Sequence, residues 1–524
     1  MKTHYKISQF FVPAALLLIW ITGLTSCKKD KDNYPAMPAI TIEGDSTVSL
    51  KPGDAIVVTV KFDAPGPDTR LLINKNSGPY RSIRLDENAV SYTFNEDMVS
   101  ETAAEGDSIT YEFVLTNGAN QKKSSTVSFT ANVEVYPTIT IGSETLYNVT
   151  IPEDGILTSG AITLAPKRKY YISSSIEFSE TTKFSAGTGT EIYLNSAATN
   201  KINLTFDAGS QVNINGTATE PVVITSDKTL LGTGAAAGDW GVFNIKGDGN
   251  GSNSGSVNHL RLEYGGSRAF RLQDVGNGTQ VDYVQVYKSL EEAIMVTNGD
   301  VNMSHLITTD CQGAGYRLGD AYAGKIQFAI ALTTIYTAEL DEFTVRETAS
   351  PVIANLSIIG PGETVNNTSG MRLRAASAAK IYNAIVAFYP RRGVRLNDDV
   401  VITDLNGPTV FAYSYVFKVP KDPFRDDRTG GTNPFAGTYS GGVGSNPFFN
   451  NITFSSTGVR SYEEIDGIAV GDYTPTATKA SAFNPAILNS FFKEAAFVGA
   501  IESPDKDWTV GWVRNPDGTI RTAN

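Results

Sequence analysis

Ala269-Phe270-Arg271-Leu272, Ala293-Ile294-Met295-Val296, Gly315-Tyr316-Arg317-Leu318, Gly370-Met371-Arg372-Leu373 and Gly393-Val394-Arg395-Leu396 are five copies of one pattern: small, apolar, Arg or Met, apolar. Glu342-Phe343-Thr344-Val345 is a degenerate copy, and the third positions lie 24, 22, 27, 28 and 23 residues apart. A second strand precedes several copies, as at Leu260-Arg261-Leu262, Val284-Gln285-Val286, Leu356-Ser357-Ile358 and Ile385-Val386-Ala387. One repeat therefore holds at least two short strands joined by turns. Leucine-rich repeats share this period, but the Leu-x-x-Leu-x-Leu-x-x-Asn pattern is missing. Linkers such as Asp248-Gly249-Asn250-Gly251-Ser252-Asn253 carry no helical periodicity. Copies stacked ~4.8 Å apart give parallel sheets, with a side-chain column through each equivalent position. The expected fold is all-β, with a right-handed parallel β-helix solenoid over 138–480.

Strand alternation puts Phe270, Tyr316, Met371 and Val394 inward and Arg271, Arg317, Arg372 and Arg395 outward. Like charges at that spacing repel by about 0.9 kcal/mol per neighbouring pair in water, so something must offset them. Asp274, Asp320 and Asp398, each three residues after an arginine, are the expected partners. The column reads either as a solvated ladder of Arg and Asp or as a basic strip for an anionic glycan, gripped by the guanidinium fork. His259, on the outward face with Arg261 and Glu263, reads as solvated.

Upstream, 39–136 has a different character. Short β-rich runs such as Ala55-Ile56-Val57-Val58-Thr59-Val60 and Ile109-Thr110-Tyr111-Glu112-Phe113-Val114-Leu115 are separated by turn clusters such as Pro65-Gly66-Pro67-Asp68. Their spacing predicts a β-sandwich of immunoglobulin type, serving as a stalk. Tyr136-Pro137 marks its end. The chain opens with Lys2 and Lys6, an apolar run from Phe10 to Ile21, then Leu24-Thr25-Ser26-Cys27. The run is shorter than the ~18 residues of a membrane span, so 1–26 reads as a signal peptide. Leu-Thr-Ser-Cys resembles the lipobox of bacterial lipoproteins, which implies acylation of the Cys27 thiol and a stable membrane anchor. Residues 27–38, beginning Cys27-Lys28-Lys29-Asp30-Lys31-Asp32, form a charged tether. The tether resembles the signals that follow the lipidated cysteine in surface-exposed lipoproteins of Bacteroidetes, with Lys31 interrupting the acids. That resemblance implies an outer-membrane, lipid-anchored, surface-exposed protein.

A chain of 524 residues with 41% apolar content can bury a large core. Its net charge of −12, without basic clusters, argues against nucleic acid as a partner. Cys27 and Cys311 are the only cysteines, so no intrachain disulfide and no cysteine-based metal site is expected; Cys311 reads as a small buried hydrophobe. Nothing in the sequence names a cofactor.

The succession Leu204-Thr205-Phe206-Asp207-Ala208-Gly209-Ser210, Pro221-Val222-Val223-Ile224-Thr225-Ser226, Asp239-Trp240-Gly241-Val242 and His259-Leu260-Arg261-Leu262-Glu263-Tyr264-Gly265-Gly266 resembles the β-helix repeats of Bacteroidetes surface lipoproteins, a pectate-lyase-like fold. The resemblance covers roughly Thr138 to Arg521 and implies a fold and a location without assigning active residues. Within that fold, pectate lyases use an acidic calcium site with an Arg or Lys base, and polygalacturonases use three aspartates. Asn397-Asp398-Asp399 near Arg391, Arg392 and Arg395 is similar to both in part, but the Gly-His-Gly of polygalacturonases is absent. No convincing catalytic set emerges, and Asp pairs in turns commonly bond nearby amides.

Phe411, Tyr413, Tyr415 and Phe417 alternate at period two, as a row of rings on one strand face. They read as a stacked core or as a platform for sugar rings. Pro420 to Asn450, with Arg425 and Arg428, follows as a long polar loop, and loops of that length tend to be functional. Residues 481–524, with Trp508, Val510 and Trp512 on one face, are expected to cap the open end of the solenoid. The function expected is a binding or adhesion module for a polysaccharide, held at Tyr413, Tyr415, Arg425 and Arg428 or at the arginine column, and acting as an accessory to an outer-membrane transporter complex for uptake. A polysaccharide lyase or glycoside hydrolase on the same scaffold and a structural envelope component are the alternatives.

Overall fold

The computed structural model describes residues 37–523 except 64–67, 87–88, 118–122, 336–339, 365–367, 375, 398–399, 401–407, 428–464 and 466. Cys27, Asp398, Asp399, Arg428 and most of the long loop lie outside the described residues. The chain divides into two compact units.

In the N-terminal unit, Ala39–Ile42, Ala55–Asp63 and Ser91–Met98 form one sheet, and Arg70–Lys75 lies between Gly78–Arg84 and Ser108–Asn117 in another, antiparallel to both. Ala55–Asp63 alternates strictly, burying Ile56, Val58, Val60 and Phe62. Phe94 of one sheet meets Tyr111 and Phe113 of the other at ring distances of 5.1 and 6.1 Å, so the inner faces share a core.

The second unit is a parallel β-helix whose rungs have three walls. Ala161–Leu164, Lys183–Ala186 and Gln211–Asn215 begin the first wall; Lys169–Ile172, Glu191–Leu194 and Val222–Ser226 begin the second. From Gly255–Glu263 to Lys380–Ala387 a single bent strand serves both, and the next rung again has two, Val410–Ala412 and Tyr415–Phe417. The third wall runs from Ile156–Leu157 to Asp422–Asp426, eleven strands among the described residues. Phe243, Phe270, Ile294, Tyr316, Phe343, Met371, Val394 and Phe424 form one inward column of that wall, all buried. Each fully buried side chain of this size contributes roughly 1.5–3 kcal/mol. At the N-terminal edge, the hairpin Thr138–Ile141 and Glu144–Asn148 pairs onto Lys169–Ile172 and covers the open sheet edge.

Corners explain where the expected alternation breaks. His259, Tyr283, His305, Phe328, Asn355, Asn383 and Tyr413 all have φ between 48° and 58° and turn the chain from the first wall to the second. A left-handed conformation costs an L-residue roughly 1–2 kcal/mol. Here ring stacking offsets it: His259, Tyr283 and His305 stack at 4.2 and 4.1 Å with nearly parallel planes, and Phe328 follows at 4.9 Å. Because Tyr413 is such a corner, Phe411, Tyr413, Tyr415 and Phe417 do not share one face. Phe411 enters the solenoid core, and Tyr415 and Phe417 point out of the second wall.

Residues 465–523 do not cap the solenoid's end. They run lengthwise along its flank, from the rung of Asn383 to that of Arg261. The second wall's outward column reads Arg261, Gln285, Ile307, Ile330, Ser357, Ile385 and Tyr415, too apolar for a solvated face. The strap buries it. Solenoid side chains satisfy the strap's irregular backbone: Gln285 exchanges two hydrogen bonds with Arg514, Gln327 two with Lys493, and Asn355 donates to the Phe497 carbonyl. Trp508 and Trp512 lie edge-on against the corner rings at 5.0 and 5.4 Å. The outward residues Arg261 and Glu263 are accordingly buried, Arg261 donating to the Trp512 carbonyl and Glu263 accepting from Arg514, so this face is covered and not solvated.

Candidate functional site

Four successive rungs carry the same unit, polar, apolar, polar, ring: Ser256-Val257-Asn258-His259, Gln280-Val281-Asp282-Tyr283, Asn302-Met303-Ser304-His305 and Lys325-Ile326-Gln327-Phe328. Val257, Val281, Met303 and Ile326 fill the core. The polar residues point out of the first wall in two columns, Ser256–Gln280–Asn302 and Asn215–Asn258–Asp282–Ser304–Gln327. They floor a groove of about 530 Å³. His305 and Phe328 of the corner ladder and Ser490, Phe491 and Lys493 of the strap wall one side, and Asn277 and Thr279 the other. Four rungs span ~14 Å, room for a short stretch of an extended polymer. Beyond Gln327 its column turns apolar, at Ala354, Tyr382 and Ala412, while the parallel column keeps one polar residue, Lys380, between Val352 and Val410; Tyr382, Val410 and Ala412 pack with Phe483 and Leu488 of the strap. The groove is thus the polar part of the wall that the strap leaves open.

Asp282 is the only carboxylate among the described residues lining the groove. Its Oδ1 accepts hydrogen bonds from Ser304 Oγ at 2.7 Å and the Tyr283 amide at 3.1 Å, and lies 2.6 Å from His305 Nδ1. Burial pushes the neighbouring His259 imidazole down to about 4, outweighing Asp282, so it is neutral at neutral pH. Tyr283 is raised by burial and then by Asp282. This arrangement offers amides and hydroxyls as donors and acceptors, ring edges as a wall, a single carboxylate and the Lys493 side chain. Its residues were missed by reasoning from arginines and paired acids, although the four-residue unit is visible in the sequence once the repeats are aligned.

The arginine column is in register: Asn244, Arg271, Met295, Arg317, Thr344, Arg372, Arg395 and Arg425 occupy consecutive rungs of the third wall. Arg425 is therefore a strand residue and not part of a loop; Phe424-Arg425 repeats Val394-Arg395 one rung on. The partners differ from those expected. Arg317 pairs with Glu292 at 3.0 Å, Arg372 with Asp341 at 3.2 Å, and Arg395 and Arg425 both with Asp427 at 2.6 Å. Asp274 and Asp320, at φ 54° and 47°, instead turn the corner after the third wall, a role the short Asp side chain tolerates, and their side chains leave the strand face. Arg425 is raised above the usual guanidinium range chiefly by its hydrogen bond to Asp427.

The aromatic candidates separate. Tyr415 is 1% exposed beneath the strap, with the Lys479 ammonium 5.2 Å from its ring centre, so it offers no face to a sugar. Tyr413 is half-buried and stacks on Phe483 at 5.0 Å. Among the described residues no group of His, Cys, Asp and Glu is placed to hold a metal ion. Cys311 is buried, its thiol pushed up to about 12 mainly by burial.

A family model described as a pectate-lyase like beta helix domain matches residues 155–269 and 246–432. Two solved structures of a GH87 α-1,3-glucanase catalytic domain also match. One, a variant in complex with tetrasaccharides, is 11% identical, with 80% of this chain and 99% of that chain covered and a TM-score of 0.25. The other, in complex with nigerose, is 12% identical over the same shares with a TM-score of 0.20. At those scores neither likeness carries an inference about ligand or chemistry. No curated protein matches the chain.

Proposed function

The chain belongs to the family of pectate-lyase like β-helix domains, and on that scaffold we propose a surface lipoprotein that binds a neutral polysaccharide along the first-wall groove. The repeated polar–apolar–polar–ring unit carries the reading. It sets amides and hydroxyls at the ~4.8 Å rung spacing, and sugar hydroxyls need such partners. Hydrolysis in the usual manner needs two carboxylates across the scissile bond. The lone Asp282 among the described lining residues, engaged by Ser304 and His305, therefore favours binding over cleavage.

In this reading Cys27 carries the lipid, 27–38 is the tether, and the N-terminal unit is an immunoglobulin-like stalk presenting the β-helix outside the outer membrane, as an accessory to a nutrient-uptake complex. The test is a neutral-glycan array probed with the mature chain, then with Gln280→Ala combined with Asn302→Ala. Retention that falls at least tenfold in the double variant, with no reducing ends released, is the expected result. Release of oligosaccharide that stops in Asp282→Asn would replace binding by hydrolysis, and binding unchanged by the double variant would remove the groove from the account.

A further inference from the structure

The second wall is covered at both ends, with a gap between. From Arg261 onward the strap lies over it, and on the earlier rungs Tyr171 and Tyr193 pack with Leu146 and Leu230. In the gap the outward column reads Glu191, Val223 and Arg261 on three successive rungs. These three residues floor two adjoining hollows of about 230 and 450 Å³. Tyr193 and Arg514 wall the smaller, and Pro221 and Ile520 the larger.

The charges at the two ends of this floor are not matched by their neighbours. At one end Glu263 is a single carboxylate between two guanidiniums, accepting from Arg261 Nε at 2.5 Å and from Arg514 Nε at 2.8 Å. The Nη1 atoms of both arginines are spent on the Trp512 and Gly518 carbonyls, and neither Nη2 makes a hydrogen bond among the described residues. That end keeps a positive charge in excess. At the other end Glu191 accepts from the Tyr193 hydroxyl and has no cation within ion-pair distance among the described residues. Lys169, one rung before it, is bonded to Glu144 at 2.8 Å and attracts Glu191 only at longer range. Lys167, at the rim, is paired with Glu220 at 2.7 Å. Val223 stands between the two ends, apolar and buried. The hollow thus has an anionic and a cationic end two rungs apart, ~9.6 Å along the column. An anion or a cation alone would leave one end unmatched; a zwitterion matches both.

We propose that this hollow binds a free α-amino acid with an apolar side chain, its ammonium on Glu191 and its carboxylate on the Nη2 donors of Arg261 and Arg514. The span fits. A charge-assisted hydrogen bond of ~2.8 Å at either end, and about 3 Å between the ligand's ammonium and carboxylate, come to roughly 9 Å. Pro221, Val223 and Ile520 supply apolar surface for the side chain. The site lies on a different wall from the polar groove, so it stands or falls apart from the neutral-glycan reading.

The test is calorimetric titration of the mature chain with L-leucine. L-leucinamide, which lacks the carboxylate, and N-acetyl-L-leucine, which lacks the ammonium, are separate arms. The expected result is leucine bound at least tenfold more tightly than either analogue, weakened at least tenfold in Glu191→Gln and unchanged in Asp282→Asn of the first-wall groove. Glutamine keeps an acceptor for the Tyr193 hydroxyl while removing the charge. The two analogues probe the charge requirement on the unaltered chain, so the outcome does not depend on how a variant folds. No binding of leucine, an analogue bound as tightly as leucine, or leucine binding unchanged in Glu191→Gln would overturn the assignment, and a loss in Asp282→Asn would move the site to the groove.

Discussion

Glu342→Gln should remove the pH dependence that this buried carboxyl imposes on stability, so that the order of stability between variant and wild type reverses between pH 5 and pH 8. In the repeats this position belongs to Ala269, Ala293, Gly315, Gly370 and Gly393; Glu342 alone puts a carboxyl there. Gly315 makes room for it, since a Cβ at Gly315 would stand 2.5 Å from Glu342 Oε1, and the Gly315 amide donates to that oxygen at 3.1 Å. Burial raises the carboxyl to about 8; the Gly315 bond opposes the shift and Asp310 adds to it. A carboxyl raised from 4.5 in the unfolded chain contributes stability fully present below about pH 4.5 and lost as pH rises through about 8. At 1.36 kcal/mol per unit, the loss between pH 5 and pH 8 is about 4 kcal/mol. Glutamine keeps the acceptor for Gly315 but adds an unpartnered N–H pair at a cost of about 1–3 kcal/mol. The variant should thus be less stable than wild type at pH 5 and more stable at pH 8. Guanidinium unfolding of both chains at pH 5, 6, 7 and 8 measures it; midpoints are compared between the two, because solenoids need not unfold all-or-none. A gap that stays constant across this range would refute the buried-acid account.

Trp512→Ala removes a fully buried ring on which the strap closes, and should cost about 3–5 kcal/mol, seen as faster hydrogen exchange across 483–521 with the third wall unchanged. Cys27→Ser should move the protein from the membrane fraction to the soluble fraction or leave it as precursor; normal membrane retention at mature length would exclude the lipid anchor. Arg317→Ala with Arg372→Ala should leave neutral-glycan binding unchanged at low and high salt, since both lie on the third wall, and a loss there would connect the two walls.

What the repeat copies determine by themselves is local: which residues face in, the register of columns, the parallel stacking, and the alignment of Arg271 with Arg317, Arg372 and Arg395. Alternation within four residues and a fixed period are enough for that. The corner column was not legible, because His, Tyr and Phe at positive φ contradict backbone preference and are held there by rings from neighbouring rungs. That corner removed the supposed row of Phe411, Tyr413, Tyr415 and Phe417. The partners of the arginines were not legible either, since Glu292, Asp341 and Asp427 meet them across rungs while the nearby Asp274 and Asp320 are spent on turns. The strap was decided by the tertiary structure alone: Arg514 meets Glu263 and Gln285 across more than two hundred residues. Only that closure determines which outward faces are buried, as at Tyr415, and which polar stretch, from Asn258 to Ser304, remains open as a groove.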